Sequence, residues 1–275
     1  MTSHKRKNKI HLLPFLLIFL LLWLWSWVPF TEKINLDIPE VKDTNVRLVL
    51  VTDLHSCFYG KNQSWLIKMI RKQNPDIVAL SGDIFDDKLK NNNAEIFVEE
   101  IVKEYPVYYV TGNHEYWNKN VPEMKNYLRN LGVHVLEGST ELININGCNV
   151  NICGVDDPVG ISDSNWKKQL ENAYSSCDSS NLKILLSHRP ERIEYYKQYN
   201  FDLVLAGHAH AGQIKIPFIN RGLWAPSQGF LPKYVSGPYK LKNGSTMIVS
   251  RGLARESTPA PRFFNHPEIV VININ

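Results

Sequence analysis

The sequence predicts an α/β fold layered around a largely parallel sheet, and three observations predict it. Short runs of Leu, Val and Ile, apolar enough to be buried on both faces, alternate along the chain with longer amphipathic runs of helical period. The amphipathic runs stop at Pro or Gly. Strands that alternate with helices in this way pair in parallel through crossover connections.

The elements follow in chain order. Beyond a polar, charged stretch at 32–45, read as a linker, "RLVLV" is a strand and "SWLIKMIRKQ" a helix that stops before Pro75. "DIVAL" and the helix "AEIFVEEIVKE", which stops before Pro106, repeat the unit. "VYYV" precedes a helix at "PEMKNYLRNLG", with Pro at its start and Gly at its end. Short strands follow at "HVLE", "ELININ" and "NVNICG", then a helical "SNWKKQLENAY", and the alternation resumes with "KILL", "ERIEYYKQ" and "DLVLAG". No internal repeat or low-complexity segment interrupts this order.

Composition narrows the function classes. The 275 residues are 44% hydrophobic and 21% charged, ample for one large α/β domain or two small ones. Of 31 basic residues, Lys5, Arg6, Lys7 and Lys9 precede residue 31, which leaves 27 basic against 27 acidic residues in the body. A neutral body lacks the basic footprint of a nucleic-acid binder, and no nucleic-acid partner is expected. Cys148 and Cys153 lie five apart and point to opposite faces if their segment is one strand. All four cysteines read as free thiols.

From Ile10 to Thr31 the chain runs 22 residues without Asp, Glu, Lys or Arg. As a helix this length spans the ~30 Å hydrocarbon core, and Trp23, Trp25 and Trp27 cluster at one end as interfacial anchors do. A cleaved signal peptide is the alternative, but its apolar region is shorter, about 7 to 15 residues, and ends in small residues. Four basic residues precede the run and only Lys33 occurs in the ten after it. The expectation is therefore a single-pass anchor with a cytoplasmic N-terminus and an extracytoplasmic catalytic part.

The strand ends carry the chemistry. "LVLVTDLH" ends on Asp53 and His55, "DIVALSGD" on Asp83, "VYYVTGNHE" on Asn113 and His114, "KILLSHRP" on His188, and "DLVLAGHAH" on His208 and His210. Taken singly, an Asp after a strand is most often a turn former, and a lone His is most often structural. Here the five apolar runs each finish in a metal-ligand or acid-base group, and in open α/β sheets ligands bind outside the carboxyl ends of the strands. Imidazoles, two carboxylates and an Asn carbonyl without thiolate suit Mn, Fe or Zn rather than Ca. Seven such side chains suit two ions sharing one carboxylate, which is the arrangement that hydrolyses phosphoesters.

The series D-x-H, G-D, G-N-H-E, S-H and G-H-x-H resembles the calcineurin-like metallophosphoesterases over residues 46–275. Phrases such as "GQIKIPFINRGLWAPSQGFLPKY" and "SRGLARESTPAPRFFNHPEI" are similar to the membrane-associated bacterial phosphoesterases called YaeI-like or YkuE-like. The chain departs from the common pattern at Cys57 and Ala254, where Gly is frequent. The resemblance implies a four-layer αββα sandwich, here behind one transmembrane helix: residues 1–31 basic terminus and anchor, 32–45 linker, 46–275 metallophosphoesterase domain. By motif it implies Asp53, His55 and His210 on one metal, Asn113, His188 and His208 on the other, and Asp83 between them. His114 is then left free beside the metals, to donate a proton to the leaving alkoxide or to hydrogen-bond the substrate phosphate, with Glu115 orienting its ring, and hydroxide generated between the metals attacks phosphorus in line. Arg251, Arg255 and Arg262 are expected at the substrate phosphate. The implied substrate is a phosphodiester or pyrophosphate of a membrane lipid or cell-envelope molecule. A phosphomonoesterase or protein phosphatase is the alternative, and a non-catalytic binding module would have lost ligands that are all present here.

Overall fold

Two six-stranded sheets face each other in the computed structural model of the chain, which describes residues 12–39, 41, 44–216, 221–257 and 261–275. The first contains β1 (Phe30–Leu36), β2 (Val46–Val51), β3 (Ile77–Ser81), β4 (Val107–Val110) and β5 (His134–Val135), with β14 (Glu268–Ile274) between β1 and β2. The second contains β6 (Ser139–Ile145), β7 (Cys148–Gly154), β8 (Leu182–Leu186) and β9 (Leu203–Ala206), extended by β13 (Thr246–Val249) and β12 (Gly237–Lys240). A small antiparallel pair, β10 (Trp224–Ala225) and β11 (Gly229–Phe230), stands apart.

The alternation of each strand decides the layers. One face of β2, with Leu48 and Leu50, meets Ile184 and Leu186 of β8 and Leu203 and Leu205 of β9 in the core between the sheets. The opposite face, with Val49 and Val51, packs on α2 (Ser64–Arg71), α3 (Asn92–Ile101) and α5 (Val121–Asn130). In the second sheet Leu185, Val204 and Met247 pack outward on Trp166 and Leu170 of α6 (Asp163–Ser175) and on Ile193 and Tyr196 of α7 (Ile193–Tyr196). Helices, sheet, sheet and helices are thus four layers. Within them β2, β3, β4 and β5 are parallel, as are β7, β8, β9 and β13, with antiparallel pairing where β14 joins β2 and at the edges β6 and β12.

One expectation is corrected here. The stretch expected as a linker carries most of β1, whose Ile34 and Leu36 are buried. Its parallel partner β14 is the C-terminal strand, Phe30 opposite Glu268, so no local pattern announces the pairing. "ERIEYYKQ" forms a short helical segment, a 3₁₀ turn at Pro190–Arg192 that runs into the single turn of α7. Cys148 and Cys153 do face opposite cores, and all four cysteines are free.

α1 (Leu12–Trp25) is 14 residues long, about 21 Å at 1.5 Å per residue. Among the described residues no helix is long and apolar enough to cross a membrane. The start of the expected anchor, Ile10 and His11, and the basic residues before it lie outside the described residues. The C-terminal end of the segment is fixed to the domain: Phe19 lies 4.7 Å from Phe263 and Trp25 4.1 Å from His266 between ring centroids, and Ser26 Oγ accepts the Phe264 N–H at 3.1 Å.

Candidate metal centre

β2, β3 and β4 of one sheet and β8 and β9 of the other end in turns that meet, and every expected ligand lies on one of these turns. Both oxygens of Asp53 accept the backbone N–H of His208, at 3.0 and 3.2 Å. His188 Nε2 is 3.0 Å from Asp83 Oδ2 and 3.9 Å from Asp53 Oδ1. His55 Nε2 is 3.6 Å from Asp83 Oδ2, and His210 Nε2 is 3.7 Å from Asp53 Oδ1. The structure brings Asp53, His55, Asp83, His188, His208 and His210 together.

Bringing them together strains the backbone. Asp53, His55, Asp83, His208 and His210 have φ of 52°, 48°, 53°, 64° and 46°, the left-handed region that costs a non-glycine residue about 1–2 kcal/mol. Gly82 and Gly207 make the approach possible. A Cβ on Gly82, which has φ 84°, would stand 2.5 Å from His188 Nδ1, and one on Gly207 would stand 2.4 Å from Asp53 Oδ2.

The lone pairs point inward. His188 Nδ1 lies 2.9 Å from the Ser81 carbonyl, which can only accept, so the ring carries its proton there and Nε2 faces the centre. His55 is held the same way, Nδ1 donating to Asp86 Oδ1 at 2.8 Å. Five expected ligand atoms, His55 Nε2, Asp83 Oδ2, Asn113 Oδ1, His188 Nε2 and His210 Nδ1, are buried without a well-formed hydrogen bond in the protein, His188 Nε2 and Asp83 Oδ2 meeting only each other, as an ion pair at 3.0 Å. A buried polar atom left unsatisfied costs about 1–3 kcal/mol, so five at one point demand a partner that the protein does not supply. Asp53, His55 and His210 form one metal-competent group, and Asp83, His188 and His208 another. These donors fit two divalent cations.

His208 is arranged differently from the others. Its Nε2 accepts from Arg189 Nη1 at 2.8 Å, while Arg189 is itself gripped by Asp157, Nε to Oδ2 at 2.5 Å and Nη2 to Oδ1 at 2.9 Å, and reaches Ser227 Oγ. Burial, with Arg189 and His188, holds His208 well below the usual imidazole range. Burial also lowers His210 to about 3, against the attraction of Asp53. Both rings are neutral, the form that binds metal. For His188, desolvation would lower the pKa, but the Asp83 and Asp53 carboxylates outweigh it and raise the ring to about 10. The centre draws positive charge.

His114 stands beside this group, its ring 4.2 Å from His55 and 4.6 Å from Trp117. Its Nδ1 is 2.6 Å from Asp87 Oδ1 and 3.3 Å from Asp86 Oδ1. Burial alone would lower its pKa, yet Asp86, Asp83 and Asp87 together raise it to about 9. Glu115 does not orient this ring as expected. α4 (Asn113–Trp117) begins at Asn113, so Glu115 turns back to accept the backbone N–H groups of Asp83, Ile84, Phe85 and Gly112 at 2.7–3.1 Å. Burial and the Asp83 charge push it up to about 7. Asp86 and Asp87 orient His114 instead. The signal for them was the acid pair in "GDIFDD", three and four residues past Asp83.

The three arginines expected at the substrate phosphate brace the C-terminal loop instead. Arg262 is buried and donates to the carbonyls of Ala254, Arg251 and Gly252. Arg251 pairs with Glu268, and Arg255 lies over the Tyr59 ring and donates to the Phe58 carbonyl.

Two face-to-face sheets thus carry an imidazole and carboxylate centre, able to hold metal, where their strand ends meet. Residues 46–212 match the profile described as calcineurin-like phosphoesterase, and the chain belongs to that family. The family uses a dinuclear divalent metal site, which the donor set described above fits. The chain is 32% identical over 253 residues to an uncharacterized metallophosphoesterase of Campylobacter jejuni, covering 90% of this chain and 63% of that protein. It therefore spans somewhat under two thirds of that relative. A Bos taurus protein named transmembrane protein with metallophosphoesterase domain is 26% identical over 228 residues, 78% of this chain and 50% of that one. Among solved structures, TT1561 of Thermus thermophilus shares the fold with a TM-score of 0.51 at 14% identity, over 76% of this chain and 91% of that one.

Proposed function

We propose that the chain hydrolyses a phosphodiester or pyrophosphate bond in a membrane-lipid or cell-envelope molecule. The observation that carries the hydrolytic reading is the convergence, between the two sheets, of five buried donor atoms that lack a well-formed hydrogen bond. In this reading Asp53, His55 and His210 would hold one divalent ion, Asn113, His188 and His208 would hold the second, and Asp83 would serve both. When bound, the ions supply Lewis acidity toward water and the phosphoryl oxygens.

The chain's own residues do the rest. Asp86 and the Ser81 carbonyl fix the His55 and His188 tautomers, so that both rings offer Nε2. His114, kept cationic to about pH 9 by Asp86, Asp83 and Asp87, holds Nδ1 toward Asp87 and offers the Nε2 proton to the leaving oxygen. The membrane part of the reading rests on the uncharged run through α1 and its terminal tryptophans. A transmembrane relative supports it. The charge bias sets the N-terminus in the cytoplasm and the catalytic part outside.

Chromogenic phosphodiester and phosphomonoester substrates offered to the purified full chain with Mn, beside Asp83→Asn, test this. Metal-dependent diester cleavage lost in the variant is expected. Faster cleavage of the monoester would replace the diester reading with a monoesterase one. A reporter fused after Asn275 that works only in the cytoplasm would overturn the outward topology.

A further inference from the structure

Several exposed large apolar side chains lie on the segments that follow the ligand turns, and others on α1. Trp117, 50% exposed, lies against His114. Phe58 on the turn after β2 and Trp65 in the first turn of α2 are 48% and 55% exposed and lie 6.2 Å apart. Trp224, Phe230 and Leu231 are exposed on the loop that follows His210, which folds back through Leu223 N–H donating to the Gly212 carbonyl and Leu231 N–H donating to the Leu223 carbonyl.

α1 joins these segments through two sets of contacts. Arg255 sits over the rings of Tyr59 and Trp27, at 4.2 and 5.5 Å, and donates to the Phe58 carbonyl. Phe19 packs on Phe263, whose carbonyl accepts the Lys215 N–H at 2.9 Å, and the neighbouring Asn265 donates Nδ2–H to the His210 carbonyl at 2.8 Å. The helix that carries no charge is thereby fixed beside the ligand turns.

We infer that these segments and α1 form a bilayer-docking surface, and that it presents the metal centre to phosphoesters whose acyl or prenyl part stays in the membrane. The inference rests on the phosphoesterase reading for its substrate but not for its docking. Charge and continuity identify the occupant as a bilayer. Leu16, Leu17, Leu20, Leu21 and Leu24 of α1 are all exposed on a segment without a polar face, which suits lipid rather than water. Lys61, Arg221 and Lys233 are exposed in the same stretches of chain as Phe58 and Trp65 and as Trp224, Phe230 and Leu231. Aromatics interleaved with cations match the interface of a membrane containing anionic lipid.

The test uses the full chain reconstituted in vesicles of phosphatidylcholine and phosphatidylglycerol, compared with Trp65→Phe so that the Trp65 emission is obtained by difference. Bromine on the acyl chains is expected to quench that emission, and aqueous iodide to leave it. Quenching by iodide with none by bromine would overturn the docking surface, whatever the protein hydrolyses. The ratio of turnover on a vesicle-embedded fluorogenic phosphodiester to turnover on a soluble one is the second readout. In Trp65→Ser/Phe230→Ser, checked for retained metal, that ratio is expected to fall about tenfold, and a wild-type ratio would refute the inference. Absence of any diester hydrolysis would count against the phosphoesterase reading, while the quenching result would still decide docking.

Discussion

His114 after β4 and the two histidines after β9 meet opposite surroundings. After β4 in the first sheet, His114 faces Asp86 and Asp87 with Asp83 close by, and its pKa rises to about 9 against the effect of burial. After β9 in the second sheet, burial lowers His208 and His210, with Arg189 facing His208 and His55 beside His210. One residue type is thus prepared for two tasks, holding a proton at His114 and offering a neutral ring at His208 and His210. His188, after β8 of the same sheet as β9 but beside Asp83 and Asp53, is raised to about 10, so neighbouring charge and not the sheet makes the difference.

The largest effect should come from Asp83→Asn, which removes the carboxylate lying between the two groups. We predict loss of bound metal and of activity by about a thousandfold, read by metal analysis and diester hydrolysis. Retention of both metals would contradict the bridging role. His114→Ala sharpens the comparison from the proton side: metal content stays, and turnover falls on the order of 10²- to 10⁴-fold. Wild-type turnover in this variant would end the proton-donor assignment.

The pH profile separates the two sides further. A donor raised to about 9 is protonated below that pH, so the wild-type rate should fall as pH rises through about 9, and His114→Ala should lack that limb. The same shift has a sign for stability. A ring raised from 6.5 to about 9 stabilises the fold fully below pH 6.5, and the contribution is lost as pH rises through 9.

On the second sheet, Arg189→Met would leave Asp157 buried and unpaired, with an expected loss of about 3 kcal/mol in denaturant unfolding. An unchanged midpoint would mean that the Arg189 pair is not what holds this turn. The smallest effect belongs to Asp87→Asn, which removes one of three carboxylates acting on His114. The high-pH limb should move down, with turnover reduced severalfold, about 2- to 5-fold. An unmoved limb would leave Asp86 and Asp83 as the carboxylates that set it.

What the sequence made legible follows from how local each signal is. Asp53, Asp83, Asn113, His188 and His208 each close a continuous apolar run, and that run marks both the buried strand and the end where its polar residues emerge. The features that escaped depend on distant partners. β1 lies in a polar stretch and becomes a strand only beside β14, 238 residues on. Arg189 finds Asp157 from 32 residues away, and Asp87 meets His114 across 27. Glu115 was misread because the start of α4 turns its side chain toward backbone N–H groups, which no spacing rule reveals. The C-terminal arginines have forks suited to phosphate, but burial and the loop carbonyls claim them.

The central claim is that the buried, unsatisfied atoms of His55, Asp83, Asn113, His188 and His210 surround two divalent ions. Its most direct test is the number of Mn ions held per folded full-length chain after dialysis, determined by elemental analysis. Two per chain in the wild-type protein is the predicted result. One or none in a chain whose circular dichroism and unfolding are intact would contradict it.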